Sequence, residues 1–317
     1  MLERVVRVLI CPSCGGDLTR NYPLQKVGGR LRLADLSCRN CSSAWGVRES
    51  VGLFGTPLPD DFDWRPDPGL VELPPNDEYW EAYLASLPEA AREALSHVLG
   101  SLVDEVRNLG GLLVDFATCN GHVLRRVAPS TGSQQLFLGL DPDLPRLYST
   151  QAALRRDRRY GRVSLSEIDP RRWPLRDRSA LGVVSFYGPS IVPHARLWFK
   201  EVARVLRPGA PFVFGTLLTE EHTLTVRQAH RLSLDEALTE GRLRRLLRAN
   251  GLGVESWENV TSGESWPRNS YDPLPLEGDP WRHVLVHARR LREVPRVAPR
   301  VRAVSIEREE APAEVEF

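Results

Sequence analysis

Five cysteines occur in the 317 residues, and four of them form two C-x-x-C pairs, Cys11-Pro12-Ser13-Cys14 and Cys38-Arg39-Asn40-Cys41. Four thiolates make a tetrahedral zinc set, and each pair is short enough for both sulfurs to face one ion. Gly15-Gly16 can take the positive φ values that turn backbone N–H groups toward sulfur. Two disulfides or a redox pair are the other uses of such cysteines, and the first needs an oxidising compartment. Two matched knuckles favour zinc held by Cys11, Cys14, Cys38 and Cys41, in a closed shell that is structural and not catalytic. Cys119 stands apart as a free thiol.

Residues 112–141 offer a second chemistry. Residues 112–116 are apolar and bounded by glycines, as a buried parallel strand would be. Ala117-Thr118-Cys119-Asn120-Gly121 then turns into a helix beginning near His122, and a second strand over 136–140 ends at Asp141. Small residues in such a loop admit a ligand close to the backbone N–H groups, and Asp141, 20 residues after Gly121, stands where an acid accepts hydrogen bonds from both ribose hydroxyls. Only one of the expected glycines is present. A plain βαβ turn needs small residues too, so the loop by itself supports a cofactor site and an ordinary turn about equally.

Downstream, residues 199–209 read as an amphipathic helix stopped by Pro208-Gly209, followed by a strand over 211–217. With Glu201-Val202-Ala203-Arg204-Val205-Leu206-Arg207-Pro208-Gly209 in place, the chain resembles the class I S-adenosylmethionine-dependent methyltransferases, whose helix before the fifth strand commonly reads E-x-x-R-V-L-R-P-G-G. The resemblance covers roughly residues 110–289. It implies an α/β fold, a Rossmann-like sheet with helices on both faces, with S-adenosylmethionine as cofactor and methyl transfer as the reaction. Asp115 to Gly121 then matches the family's D-x-G-x-G-x-G, with Ala117 and Cys119 where glycines usually stand. The implied cofactor-binding residues are Asp115, Ala117, Cys119, Gly121, the ribose acid Asp141, and Asp169, at the position of an acid near the adenine. A side chain at residue 119 is expected to crowd the ligand or restrict the turn.

Gly182 replaces the aspartate of the family's S-F-D-V-V landmark. A non-catalytic scaffold or binding protein that retains the fold is therefore the alternative to an enzyme. Residues 42–54, after the second knuckle, resemble the small zinc-ribbon methyltransferase-activator modules. A ribbon before a methyltransferase domain also occurs in ribosomal RNA guanine-N1 methyltransferases, where the fourth ligand is commonly histidine; Cys41 departs from that arrangement. An RNA methyltransferase that grips RNA with the ribbon and an arginine-rich segment is the second alternative.

Methyl transfer asks the protein mainly to align a nucleophile with the methyl group and exclude water, so no catalytic residue need stand out. Tyr187, after the fourth strand of the nucleotide fold, and His194 are the candidates to position or deprotonate a methyl acceptor. Between residues 155 and 178, nine arginines face four acids, a local excess that suits either a solvated surface or phosphate. A formal net charge of +1 excludes a globally basic nucleic-acid binder, so an RNA or protein partner would have to be engaged locally, through the ribbon or this segment. No apolar run of about 18 residues or signal-peptide core is seen, which predicts a cytoplasmic protein with no membrane association.

The elements that must position these groups follow from patterning. Four regions are expected: a zinc ribbon over 1–55, a Pro/acid-rich linker and covering helices over 56–109, a methyltransferase-like domain over 110–290, and a poorly ordered tail over 291–317. Helical patterning spans 77–86 and 89–108, with Leu95, Val98, Leu99, Leu102, Val103 and Val106 along one side. A capping box at Ser233-Leu234-Asp235-Glu236 predicts a helix start, Gly251 its end, and the last strands fall over 253–260 and 281–288.

Overall fold

The computed structural model describes residues 1–58, 77–107, 109–127, 134–264 and 274–292. The Pro/acid-rich linker, but for its first residues 56–58, and nearly all of the C-terminal tail lie outside the described residues. The N-terminal part comprises α1 (Glu3–Val6) and four strands, β1 (Leu18–Val27), β2 (Arg30–Cys38), β3 (Ala44–Arg48) and β4 (Val51–Leu58). Two helices follow, α2 (Asp77–Ser86) and α3 (Glu89–Arg107). An alternating segment comes next: β5 (Gly111–Phe116), α4 (His122–Val127), β6 (Gln135–Asp141), α5 (Leu144–Arg156), β7 (Val163–Ile168), β8 (Gly182–Phe186), α6 (Gly188–Ile191), α7 (Ala195–Val205) and β9 (Pro211–Leu218). The chain closes with α8 (Leu224–Arg231), α9 (Glu240–Ala249), β10 (Leu252–Glu264) and β11 (Pro280–Arg290).

All the named strands join one sheet in the order β1-β2-β3-β4-β7-β6-β5-β8-β9-β11-β10. The centre, β7-β6-β5-β8-β9, is parallel, and β11 enters antiparallel between β9 and β10. Parallel strands covered on both faces must be apolar on both faces. In β9, Phe212 and Phe214 face one core cluster and Val213 the other; in β5, Leu112 and Val114 face the first and Leu113 the second. Helix α3 closes the second face with Leu95, Val98, Leu99, Leu102, Val103 and Val106, all buried. Each such side chain contributes about 1.5–3 kcal/mol of transfer free energy.

The ribbon strands form an antiparallel meander, and β4 then pairs in parallel with β7, setting Val51 to Phe54 against Leu165 to Ile168. The sheet therefore runs unbroken from the cysteine knuckles to the nucleotide fold. One expectation fails: the helix near residue 240 does not start at the Ser233 box. Ser233 has φ 57°, outside the extended geometry of an N-cap, and Glu236 accepts instead from the Arg196 N–H at 2.7 Å. Thr239 caps α9, its hydroxyl accepting from the Arg242 N–H. Among the described residues no helix is long and apolar enough to cross a membrane.

Candidate cofactor site and metal centre

In an open parallel sheet a ligand crevice forms beyond the C-terminal strand ends where the strand order reverses, because neighbouring loops there diverge to opposite faces. Here that point lies between β5 and β8. The loop leaving β5 keeps the path of a glycine-rich turn: Ala117, Cys119 and Gly121 have φ of 55°, 47° and 70°. A left-handed non-glycine residue costs roughly 1–2 kcal/mol, so two of them need outside support. Cys119 has it three times over. Its N–H donates to Asp141 Oδ2 at 2.9 Å, its carbonyl accepts from Thr150 Oγ1 at 2.6 Å, and its sulfur accepts from Arg146 Nη1 at 3.7 Å. Thr150 also packs so close to Gly121 that a Cβ there would come within 2.7 Å of its methyl. Arg146 and Thr150 stand four residues apart on α5, on one face. The sequence reading missed both.

Asp141 ends β6 as expected and is only 2% exposed. Its two oxygens accept from the Cys119 and Asp143 N–H groups, at 2.9 and 3.0 Å, which leaves lone pairs on each for further donors. Burial pushes its carboxyl above the usual range, opposed by those two N–H groups. Asp115 ends beneath the loop. Burial pushes its carboxyl up to about 7, against the pull of the Thr118 hydroxyl, which donates to Oδ2 at 2.6 Å. Asp115 Oδ1 is buried without a partner. Residues 115, 117, 119, 121 and 141 are thus brought together. Asp169 is not joined to them by any hydrogen bond or ion pair: its carboxylate is taken by its own neighbour Arg171, through Nε and Nη2, in an ion pair of 2.8 Å.

An aromatic wall lines the other side. His122, the first residue of α4, lies 3.9 Å from Trp80 of α2 between ring centroids, and Phe186 at the end of β8 stands edge-on to both. Tyr187 follows with φ 65°, and its hydroxyl shares a 2.6 Å hydrogen bond with His283 Nδ1 of β11. Burial raises the Tyr187 phenol and lowers the His283 imidazole to about 3, so both stay neutral at physiological pH and the pair fixes a ring in place. His194 is exposed at the N-terminus of α7, its N–H bound to the Ser233 carbonyl. Trp80, His122 and His283 carried no signal in the sequence, since an isolated aromatic or histidine reads as core.

At the other end of the sheet the four cysteine sulfurs lie within 4.8 Å of one another. The closest pairs, Cys14 with Cys38 and Cys11 with Cys41, are 3.4 and 3.7 Å apart. Those distances exceed a disulfide of about 2.05 Å and approach the edge, about 3.8 Å, of a tetrahedron with metal–sulfur bonds of about 2.3 Å. Cys38 Sγ also accepts the Asn40 N–H at 3.3 Å. Gly15 has φ 75°, a left-handed backbone that suits glycine, and a Cβ on Gly16 would meet the Asn40 amide at 2.7 Å, where one knuckle packs on the other. Hydrogen bonding with Ser43 draws the Cys41 thiol down, whereas Cys11 is pushed up by burial and Cys14 by the neighbouring sulfurs, so the first thiolate of the cluster forms at Cys41. The donor set fits zinc.

No family model matches the sequence, and no curated protein matches it. Solved structures do. A geranyl diphosphate methyltransferase in complex with SAM is 17% identical with a TM-score of 0.51, covering 71% of this chain and 95% of that one. The geranyl diphosphate C-methyltransferase from Streptomyces coelicolor A3(2), in complex with Mg2+, geranyl diphosphate and S-adenosyl-L-homocysteine, is likewise 17% identical with a TM-score of 0.51, over 71% of this chain and 88% of that one. The chain has the class I methyltransferase fold. The likeness is one of fold.

Proposed function

We propose that this protein is an S-adenosylmethionine-dependent methyltransferase with a structural zinc at Cys11, Cys14, Cys38 and Cys41. One observation carries the reading: the loop over 117–121 retains the left-handed backbone of a glycine-rich cofactor turn although two of its glycine positions are filled, and Cys119 ties it directly to Asp141.

When bound, S-adenosylmethionine supplies a methyl group activated on a sulfonium centre. Asp141 receives the ribose hydroxyls through its spare lone pairs, and the loop amides approach the ligand where small residues leave room. Asp115, buried with Oδ1 unpartnered at the root of the loop, would offer a cationic ligand a negative charge that burial by itself disfavours. Trp80, His122 and Phe186 exclude water from the mouth, and Tyr187, held by His283, shapes the acceptor side. Mass spectrometry of small molecules released by denaturing the purified protein tests the reading: S-adenosylmethionine or S-adenosylhomocysteine should be recovered. A protein that retains neither after incubation with excess cofactor and rapid desalting, and shows no thermal shift with either, would count against it.

A further inference from the structure

Asp141 is almost wholly buried, yet a ribose-binding acid must be reachable. Arg146 touches both residues beside it. The Arg146 guanidinium reaches the Cys119 sulfur with Nη1 at 3.7 Å and the Asp143 carboxylate with Nη2 at 3.5 Å. Cys119 and Asp143 are the two residues whose N–H groups flank the Asp141 carboxylate, one on each oxygen. A guanidinium that touches both flanking residues is placed to lie across the approach to the acid. Its first helical turn is anchored as well, since the Arg146 N–H donates to Asp143 Oδ1 at 3.0 Å.

We propose that Arg146 is a displaceable cap on the cofactor pocket, whose guanidinium, held by Cys119 and Asp143, must swing outward before a ribose can reach the Asp141 carboxylate. The inference rests on the cofactor reading above. The filled glycine position acquires a role in it: with glycine at 119 there would be no sulfur for Nη1, and the guanidinium would have a single side-chain partner. The contacts are of a strength that lets the cap move. Arg146 and Asp143 remain 42% and 41% exposed, so their ion pair is screened by water, and the sulfur is a weak acceptor. Burial and the nearby charges act in opposite senses on Arg146: desolvation lowers it, while Cys119, Asp141 and Asp143 together raise it, so it stays charged and attracted to the acid it covers.

A cap that competes with the ligand reduces the apparent affinity in proportion to the time it spends closed. Titration calorimetry of the full, zinc-loaded chain with S-adenosylhomocysteine reads this directly. Arg146→Ala and Arg146→Gln should each bind about twofold tighter or better than the parent, a shift that follows if the closed form is the majority. Binding by the two variants where the parent shows none would support the cap in its extreme form. Unchanged or weaker binding by either variant, in a parent that binds, would overturn the cap and leave the cofactor reading standing. Absence of binding in the parent and in both folded variants would overturn the two together. Arg146→Gln retains the apolar stem along α5, so it supplies the answer if Arg146→Ala does not fold.

Discussion

Cys119 shows how far residue identity carries. Its position in a D-x-G-x-G-x-G pattern was legible, and so was the conflict between a side chain and a glycine position. The resolution of that conflict was not legible, because it comes from Arg146 and Thr150, which reach the loop from α5 across a fold that local patterning does not contain. Spacing placed Asp141 at the end of β6, where it lies beside the loop, and motif placed Asp169, whose carboxylate engages Arg171, two residues away. Asp115 supports a prediction with a definite sign. Its folded-state pKa, about 7, lies above the ordinary value of 3.8, so the folded chain binds a proton that the unfolded chain has lost. Stability from this group is therefore full below about pH 4, falls as pH rises, and is exhausted above about pH 7. Asp115→Asn, which still accepts from Thr118, should gain in urea midpoint over the parent, by little at pH 4.5 and most at pH 8. A difference that does not grow with pH would show that the carboxylate is not paying a burial cost.

At the scale of elements, patterning over 77–86 and 89–108 corresponds to α2 and α3, and Gly251, with φ 65°, ends α9 as a C-terminal glycine should, whereas the helix expected over 199–209 lies at Ala195–Val205, ending before Pro208-Gly209, and the strand expected over 253–260 runs on to Glu264. The false start at Ser233 has its cause in the preceding helix. Ser233 closes α8 instead: its N–H donates to the His230 carbonyl and the Leu234 N–H to the Ala229 carbonyl, the left-handed turn that ends a helix, while Leu234 packs with Ala229, Leu238 and Leu274, and the next helix starts at Thr239. Thr239→Ala should lower stability by about 1 kcal/mol through loss of the cap, while Ser233→Ala should change it little. Thermal melts of the two variants check this, and the reverse order would return the helix start to the box.

For the whole molecule, the two C-x-x-C pairs and the nucleotide fold were each legible, but their junction was not. Nothing in Val51-Gly52-Leu53-Phe54 tells a strand of an appended ribbon from one that will pair with β7, since both are short apolar runs. Because β4 bonds to β7, the cysteine module and the central sheet should unfold together. Zinc removal by a strong chelator, or Cys38→Ser with Cys41→Ser, should lower the melting temperature of the chain in a single transition; a second transition left at the parent temperature would show the two parts to be independent. The central claim is that the strained loop and Asp141 form a cofactor site, and it is tested most directly by calorimetric titration of the parent and Asp141→Ala with S-adenosylhomocysteine. The account predicts one site per chain in the parent and a loss of about 1.5–3 kcal/mol, roughly tenfold or more in affinity, in a folded Asp141→Ala. Equal affinity in the two proteins would contradict it.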